Sequence, residues 1–233
     1  MARINWKQAA GEAALILLGI LLALAADAWW GHRAERIEER EYLIALEDEL
    51  ATLKAYAGDV IRHVSDIEDT GSTLLRISAE WETTRVSTDS LADLVADLGQ
   101  EIAWSPPFSV YQDLLNTGSV RIIRSEEVRH GLTEVVGVEE WVSDRRERHN
   151  QFFWDRLEPY LRRHVSIVAI FEYPGLSAPE ATWVPGEFIG SLEFRNIVAA
   201  KSFAAADVRT GAEELIQVVD RVLAAVTRER TAL

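Results

Sequence analysis

The sequence contains no cysteine, one methionine and only three lysines, Lys7, Lys54 and Lys201. Without thiols there is no disulfide framework, thiolate zinc site, iron–sulfur cluster or cysteine nucleophile. The same absence leaves the compartment open, because a chain without thiols tolerates either redox environment. A basic face is missing too. With 24 Lys and Arg against 38 Asp and Glu, the net charge is −14 and the pI is about 4.8. A phosphate-binding surface needs the opposite balance, so nucleic acid is excluded as a partner. The signatures G-x-S-x-G, G-x-G-x-x-G, the Walker loop and the EF-hand loop are all absent. The five histidines are His32, His63, His130, His149 and His164, and no two lie three or four apart. No helical metal pair follows, and no metal or cofactor is implied. Folding can bring two carboxylates together, but with 38 acidic residues any nominated pair carries no information.

What is present begins at the N-terminus. Residues 13–26 read AALILLGILLALAA, followed at once by Trp29 and Trp30 and preceded by Arg3 and Lys7. From Ala9 to Trp30 the segment gives roughly 33 Å of helix, enough to cross a bilayer. The Trp pair suits the headgroup interface as an anchor. The polar residues at both ends, and a helix pattern that resumes beyond Trp30, favour an uncleaved transmembrane helix. The competing readings are a signal peptide cut at Ala23-Leu24-Ala25 and a buried soluble helix. Basic residues on the two flanks nearly tie, so charge does not orient the segment.

One face of this helix differs from its Leu-rich opposite. Glu12, Ile16, Gly19, Ala23, Ala26, Asp27 and Trp30 fall within about 100° of each other. Gly19 and Ala23 form a small-xxx-small pair that permits close backbone approach. Glu12 and Asp27 lie roughly 22 Å apart along the axis, near the two ends of the hydrocarbon. Three roles are open to them: hydration at the interfaces, a helix–helix packing face, or ion conduction.

Beyond Gly31 the apolar spacing is that of a coiled coil. Leu43, Leu46, Leu50, Leu53, Ala57, Val60, Val64, Ile67, Gly71, Leu74, Ser78 and Trp81 keep an unbroken 3–4 interval with one polar position, Ser78. This predicts a long helix over 33–82, packed on other helices, with Gly58 and Gly71 as candidate bends.

The stretch GEAALILLGILLALAADAWW, its Arg/Glu-rich joint and the following EREYLIALEDEL resemble a bacterial family of single-pass inner-membrane proteins, a domain-of-unknown-function family. FSVYQDLLNTGSVRIIRSEEVRHGL is similar to a second block of that family, and together the blocks cover a quarter to a third of the chain. The exit Asp27-Ala28-Trp29-Trp30 departs from the family's Asn-rich form. The resemblance implies a membrane anchor with a helical domain, the tail inside and the domain outside the cytoplasm. It implies no reaction.

Residues 83–90 read as a turn. A second helix follows, with Leu91, Leu94, Val95, Leu98 and Ile102 on one face. Asp89, Asp93, Asp97 and Glu101 stand on the other, either solvated or meeting Arg145, Arg146 and Arg148. Ser105-Pro106-Pro107 breaks the chain before a short helix to Asn116, which Thr117-Gly118 stops. Ser125 caps a long helix that Pro159 kinks or divides. Residues 171–190 are irregular and aromatic, and Phe171, Tyr173 and Trp183 form a candidate partner surface. A last helix runs over about 191–229.

The expected fold is all-α: a single N-terminal transmembrane helix running into an elongated antiparallel bundle of about four long helices. The tail and membrane helix occupy 1–31 and the bundle domain 32–233. The expected function is non-enzymatic interaction, scaffolding or sensing. The partners are membrane lipid and either a second copy or another membrane protein. The alternative is an accessory subunit of an ion-driven or transport complex using Glu12 and Asp27.

Overall fold

The computed structural model describes residues 6–170 and 186–232, with side chains from Leu15 onward except at 169, 186 and 187. Helix α1 runs without interruption over Trp6–Ala79, 74 residues and roughly 110 Å at 1.5 Å per residue. It passes through Gly31, Gly58 and Gly71 without a break. The apolar segment and the heptad segment are therefore one rod. It ends where the polar stretch 83–90 begins, with the Thr83 and Thr84 amides both turning back to the Glu80 carbonyl (3.0 and 2.9 Å).

The other elements are α2 (Thr88–Leu98), α3 (Ser109–Asn116), a 3-10 turn (Ser119–Ile122), α4 (Glu126–Phe152), α5 (Glu158–His164), α6 (Ile167–Ile170), α7 (Gly186–Ile189) and α8 (Leu192–Ala232). Among the described residues there is no strand, and three helices are long rather than four. Helix α8 lies antiparallel to both α1 and α4, as the ion pairs show. Toward α1 they run Glu47–Arg230, Lys54–Asp220 and Glu68–Arg209 at 2.6–2.9 Å. Toward α4 they run Glu127–Arg228, Glu134–Arg221 and Arg145–Asp207 at 2.6–3.1 Å.

The α1 seam packs as its spacing requires: Leu43, Leu46, Leu53, Ala57, Val64 and Leu74 are all fully buried. Gly71 and Gly211 act here as contact points rather than bends. A Cβ at Gly71 would collide with Ser202 of α8, and one at Gly211 would stand 2.6 Å from the Trp141 ring of α4. The core forms two clusters. One joins Leu43–Ala57 of α1 to α3, the first half of α4 and the second half of α8. The other joins Val60–Ile77 to α2, α5, α7 and the first half of α8.

Between α2 and α4 the chain runs back along α1, held by two buried carboxylates. Glu49 takes the place of a helix cap for α3, accepting from Ser109 Oγ, Val110 N and Tyr111 N at 3.2, 2.8 and 3.1 Å. Glu39, fully buried, accepts from Arg124 N at 2.6 Å. Gly118, at φ +69°, makes the left-handed stop after α3. Ser125 caps α4 by accepting from the Val128 amide at 3.3 Å.

Two expectations need correction. Helix α2 stops at Leu98, before Gly99, so Ile102 and Glu101 are not on it. Ile102 is still buried, because the Asn150 side chain clasps both its amide and its carbonyl (3.0 and 3.1 Å). The acidic stripe does not meet the arginines of α4. Arg145 pairs with Asp207 and Arg146 with Glu147, while Glu101 accepts from Trp154 Nε1 at 2.9 Å. At Pro159 the long helix is divided as expected, α4 ending at Phe152 and α5 beginning at Glu158. A π-turn over Phe153–Leu157 joins them, and Pro159 falls in the first turn of α5.

Candidate functional site

Two places in this fold depart from ordinary packing: the first third of α1, and a buried amine between α4 and α8. In the first, every large apolar side chain from Leu15 to Leu24 is more than half exposed. The most apolar 18-residue stretch has a mean hydropathy of 1.6 and none of it is covered by the rest of the chain. The buried-soluble-helix reading is thereby overturned. One helix is long and apolar enough to cross a membrane, and an exposed apolar surface of this extent is foreign to a soluble monomer.

On that segment Gly19 has no atom within 4 Å of where a Cβ would stand, and Ala23 and Asp27 are exposed. Glu12 lies on α1, with its side chain outside the described residues. Trp29 and Trp30 project outward, 59 % and 63 % exposed, with ring centroids 5.1 Å apart in edge contact. Phe171, Tyr173 and Trp183 lie outside the described residues. Phe188, from the same aromatic stretch, is fully buried against Tyr160, His164 and Phe194.

Lys201 escaped the sequence reading. It is fully buried, and its Nζ donates to the His149 carbonyl at 3.1 Å and lies 3.4 Å from His149 Nδ1. The Phe153 amide bonds the Asn150 carbonyl, so Lys201 serves the His149 carbonyl as α4 gives way to the π-turn. His149 Nδ1 also faces Asn150 Oδ1 at 3.1 Å, and its Nε2 is buried without a hydrogen bond. Burial pushes Lys201 down to about 7, with only the Glu101 charge opposing. Burial and the Lys201 charge together push His149 down to about 4. The signal was present in the sequence. Phe194, Val198, Lys201, Ala205 and Val208 keep the 3–4 spacing, as do Val142 and His149 at seven residues. An amine sealed from solvent cannot meet an outside substrate. A lone polar position on a helix seam fixes register, at a cost in stability.

A surface cleft of about 640 Å³ lies between α5 and α8 over Phe152, Arg156, Pro159, Leu192 and Ala200. Its charged rim is partly spent, since Arg163 pairs with Glu193 at 3.1 Å. Among the described residues no group of three or more His, Asp or Glu could hold a metal ion.

The geometry defines an all-helical protein with one membrane-length helix continuous with its bundle. No family model matches the chain, and neither does any curated protein or solved structure.

Proposed function

We propose that this is a single-pass, membrane-anchored helical module that acts by protein–protein association. It belongs with the bacterial inner-membrane proteins its sequence resembles, and its bundle is extracytoplasmic. The observation that carries this reading is the contrast along α1. Residues 15–30 are bare on every side, while the seam from Leu43 to Leu74 is filled by the chain's own helices. Lipid is the solvent that suits the bare part, and the two tryptophans suit its boundary. A rod that runs without a joint from lipid into a bundle transmits position and rotation, which suits scaffolding or sensing.

Extraction of native membranes with alkaline carbonate tests the anchor: the protein stays in the pellet. Protease added outside intact spheroplasts then digests the bundle. Release into the supernatant refutes the anchor, and digestion only after lysis reverses the orientation.

A further inference from the structure

The seam from Leu43 to Leu74 is occupied by α8 and cannot serve a partner, yet α1 carries a second seam. Ile37 and Ile44, 53 % and 43 % exposed, are the large apolar side chains that α1 leaves bare beyond Trp30. Singly, such residues mean little. They stand seven apart, and the same interval runs back to Trp30, Ala23 and Ile16. The intervening positions are Ala34, Asp27 and Ile20, with Glu41 between the two isoleucines, completing an unbroken 3–4 spacing from 16 to 44. All of these residues are exposed.

The direction of this seam matters. At 100° per residue it points roughly 150° away from the stripe of Glu35, Glu39, Tyr42 and Leu46, on which the bundle rests through Arg124, Asp113 and the core. The bundle covers one side of the rod and leaves the opposite side open from lipid into water.

We propose that this seam binds a second copy of the chain, α1 against α1, parallel and in register about a two-fold axis along the rods. This rests on the membrane anchor proposed above. Copies anchored in one membrane with one orientation meet in parallel, and a two-fold axis brings equal positions together. The bundles then lie on the outside, where they do not collide. Inside the lipid the contact is made by Ala23 with Gly19 beside it, where small residues let backbones approach. In water it is made by Ile37 and Ile44, whose burial is favourable.

On the seam itself Asp27 and Glu41 meet their own copies, a like-charge cost, while the charges flanking the seam favour the same register. In a parallel pair a residue flanking the seam faces the partner residue five positions on. Arg33 therefore meets Glu38 of the second copy, and Arg40 flanks Glu41. None of these four makes an ion pair among the described residues. Beyond Ile44 the spacing meets Asp48, Ala51, Ala55 and Gly58. A Cβ at Gly58 would have no atom within 4 Å, so the fold of one copy leaves its face empty.

The absence of native cysteine makes the test direct. Single cysteines are placed at Ala34, Ile37 and Ile44 on the seam, and at His32 and Arg36 off it, in the full chain in native membranes. Mild oxidation with copper–phenanthroline is expected to give a disulfide-linked dimer at the three seam positions and only monomer at the other two. Adding Ile37→Glu to the Ile44→Cys chain should abolish its dimer band. A band of equal strength at all five positions, monomer throughout, or a conjugate with a different protein overturns the proposal. Carbonate extraction of the same membranes separates the two failures. A membrane-retained chain without periodic crosslinking loses the dimer alone, whereas a released chain loses the anchor as well.

Discussion

Replacing Lys201 by methionine should make the bundle more stable and erase much of its response to alkali. Lysine in the unfolded chain keeps its proton up to about pH 10.5, whereas the buried Lys201 amine holds it only to about 7. Between those values the unfolded chain binds the extra proton, so stability rises with pH across that window. Below 7 the amine is protonated in both states and its contribution is constant. The full span is worth about 5 kcal/mol at 1.36 kcal/mol per unit of pKa. Methionine keeps the unbranched shape and carries no charge to desolvate. It leaves the buried His149 carbonyl without the Lys201 donor, a cost of about 1–3 kcal/mol. At pH 7 the variant should therefore gain on the order of 3 kcal/mol. The assay is urea unfolding of the full chain in mild detergent, followed by circular dichroism at pH 7, 8, 9 and 10 for both proteins. Their difference cancels every other titrating group. It should shrink by several kcal/mol from pH 7 to 10 as wild type gains stability that the variant already has. A variant less stable than wild type at pH 7, with a difference independent of pH, would refute the argument. It would mean that Lys201 keeps its charge in the fold.

Other substitutions probe separate parts of the architecture by the same unfolding measurement. Leu50→Asp puts an unpaired charge where the side chain is 2 % exposed and should cost several kcal/mol; unchanged stability would contradict the seam. Glu49→Ala leaves the Val110 and Tyr111 amides without their acceptor. It should cost about 1–3 kcal/mol and loosen hydrogen exchange in α3 first. Asp93→Asn lies on the exposed face of α2 and should be neutral or slightly stabilising, so a loss above 1 kcal/mol would reveal a contact absent from the fold.

How far the fold was legible can be seen residue by residue. The Leu43–Trp81 interval announced a buried stripe because a 3–4 spacing places side chains on one helix face. It could not announce that α8 fills that stripe antiparallel, since pairing depends on contacts distant in sequence. Ser125 and Gly118 were readable because caps and left-handed stops demand particular side chains. Ile102 misled, being apolar at helical spacing, yet Gly99 ends the helix first and Asn150 holds the isoleucine from another element. Lys201 was passed over because a lysine is by default solvent-facing; the flanking Val198 and Ala205 would have placed it in the core. The second seam, Ile16 to Ile44, was hidden for a related reason. Gly19, Ala23 and Asp27 mark part of it in the sequence, but Ile37 and Ile44 are single apolar residues in a stretch rich in Arg and Glu. Only the exposure of Ile37 and Ile44 separates the two faces.

The central claim is that α1 is one uncut rod from lipid to bundle, and the most direct measurement is the intact mass of the protein extracted from its native membrane. The protein should be a single species whose mass includes the whole apolar segment 13–26. A chain beginning at Ala26 or Trp29 would contradict it, because the segment would then be a signal peptide and the anchor would be gone.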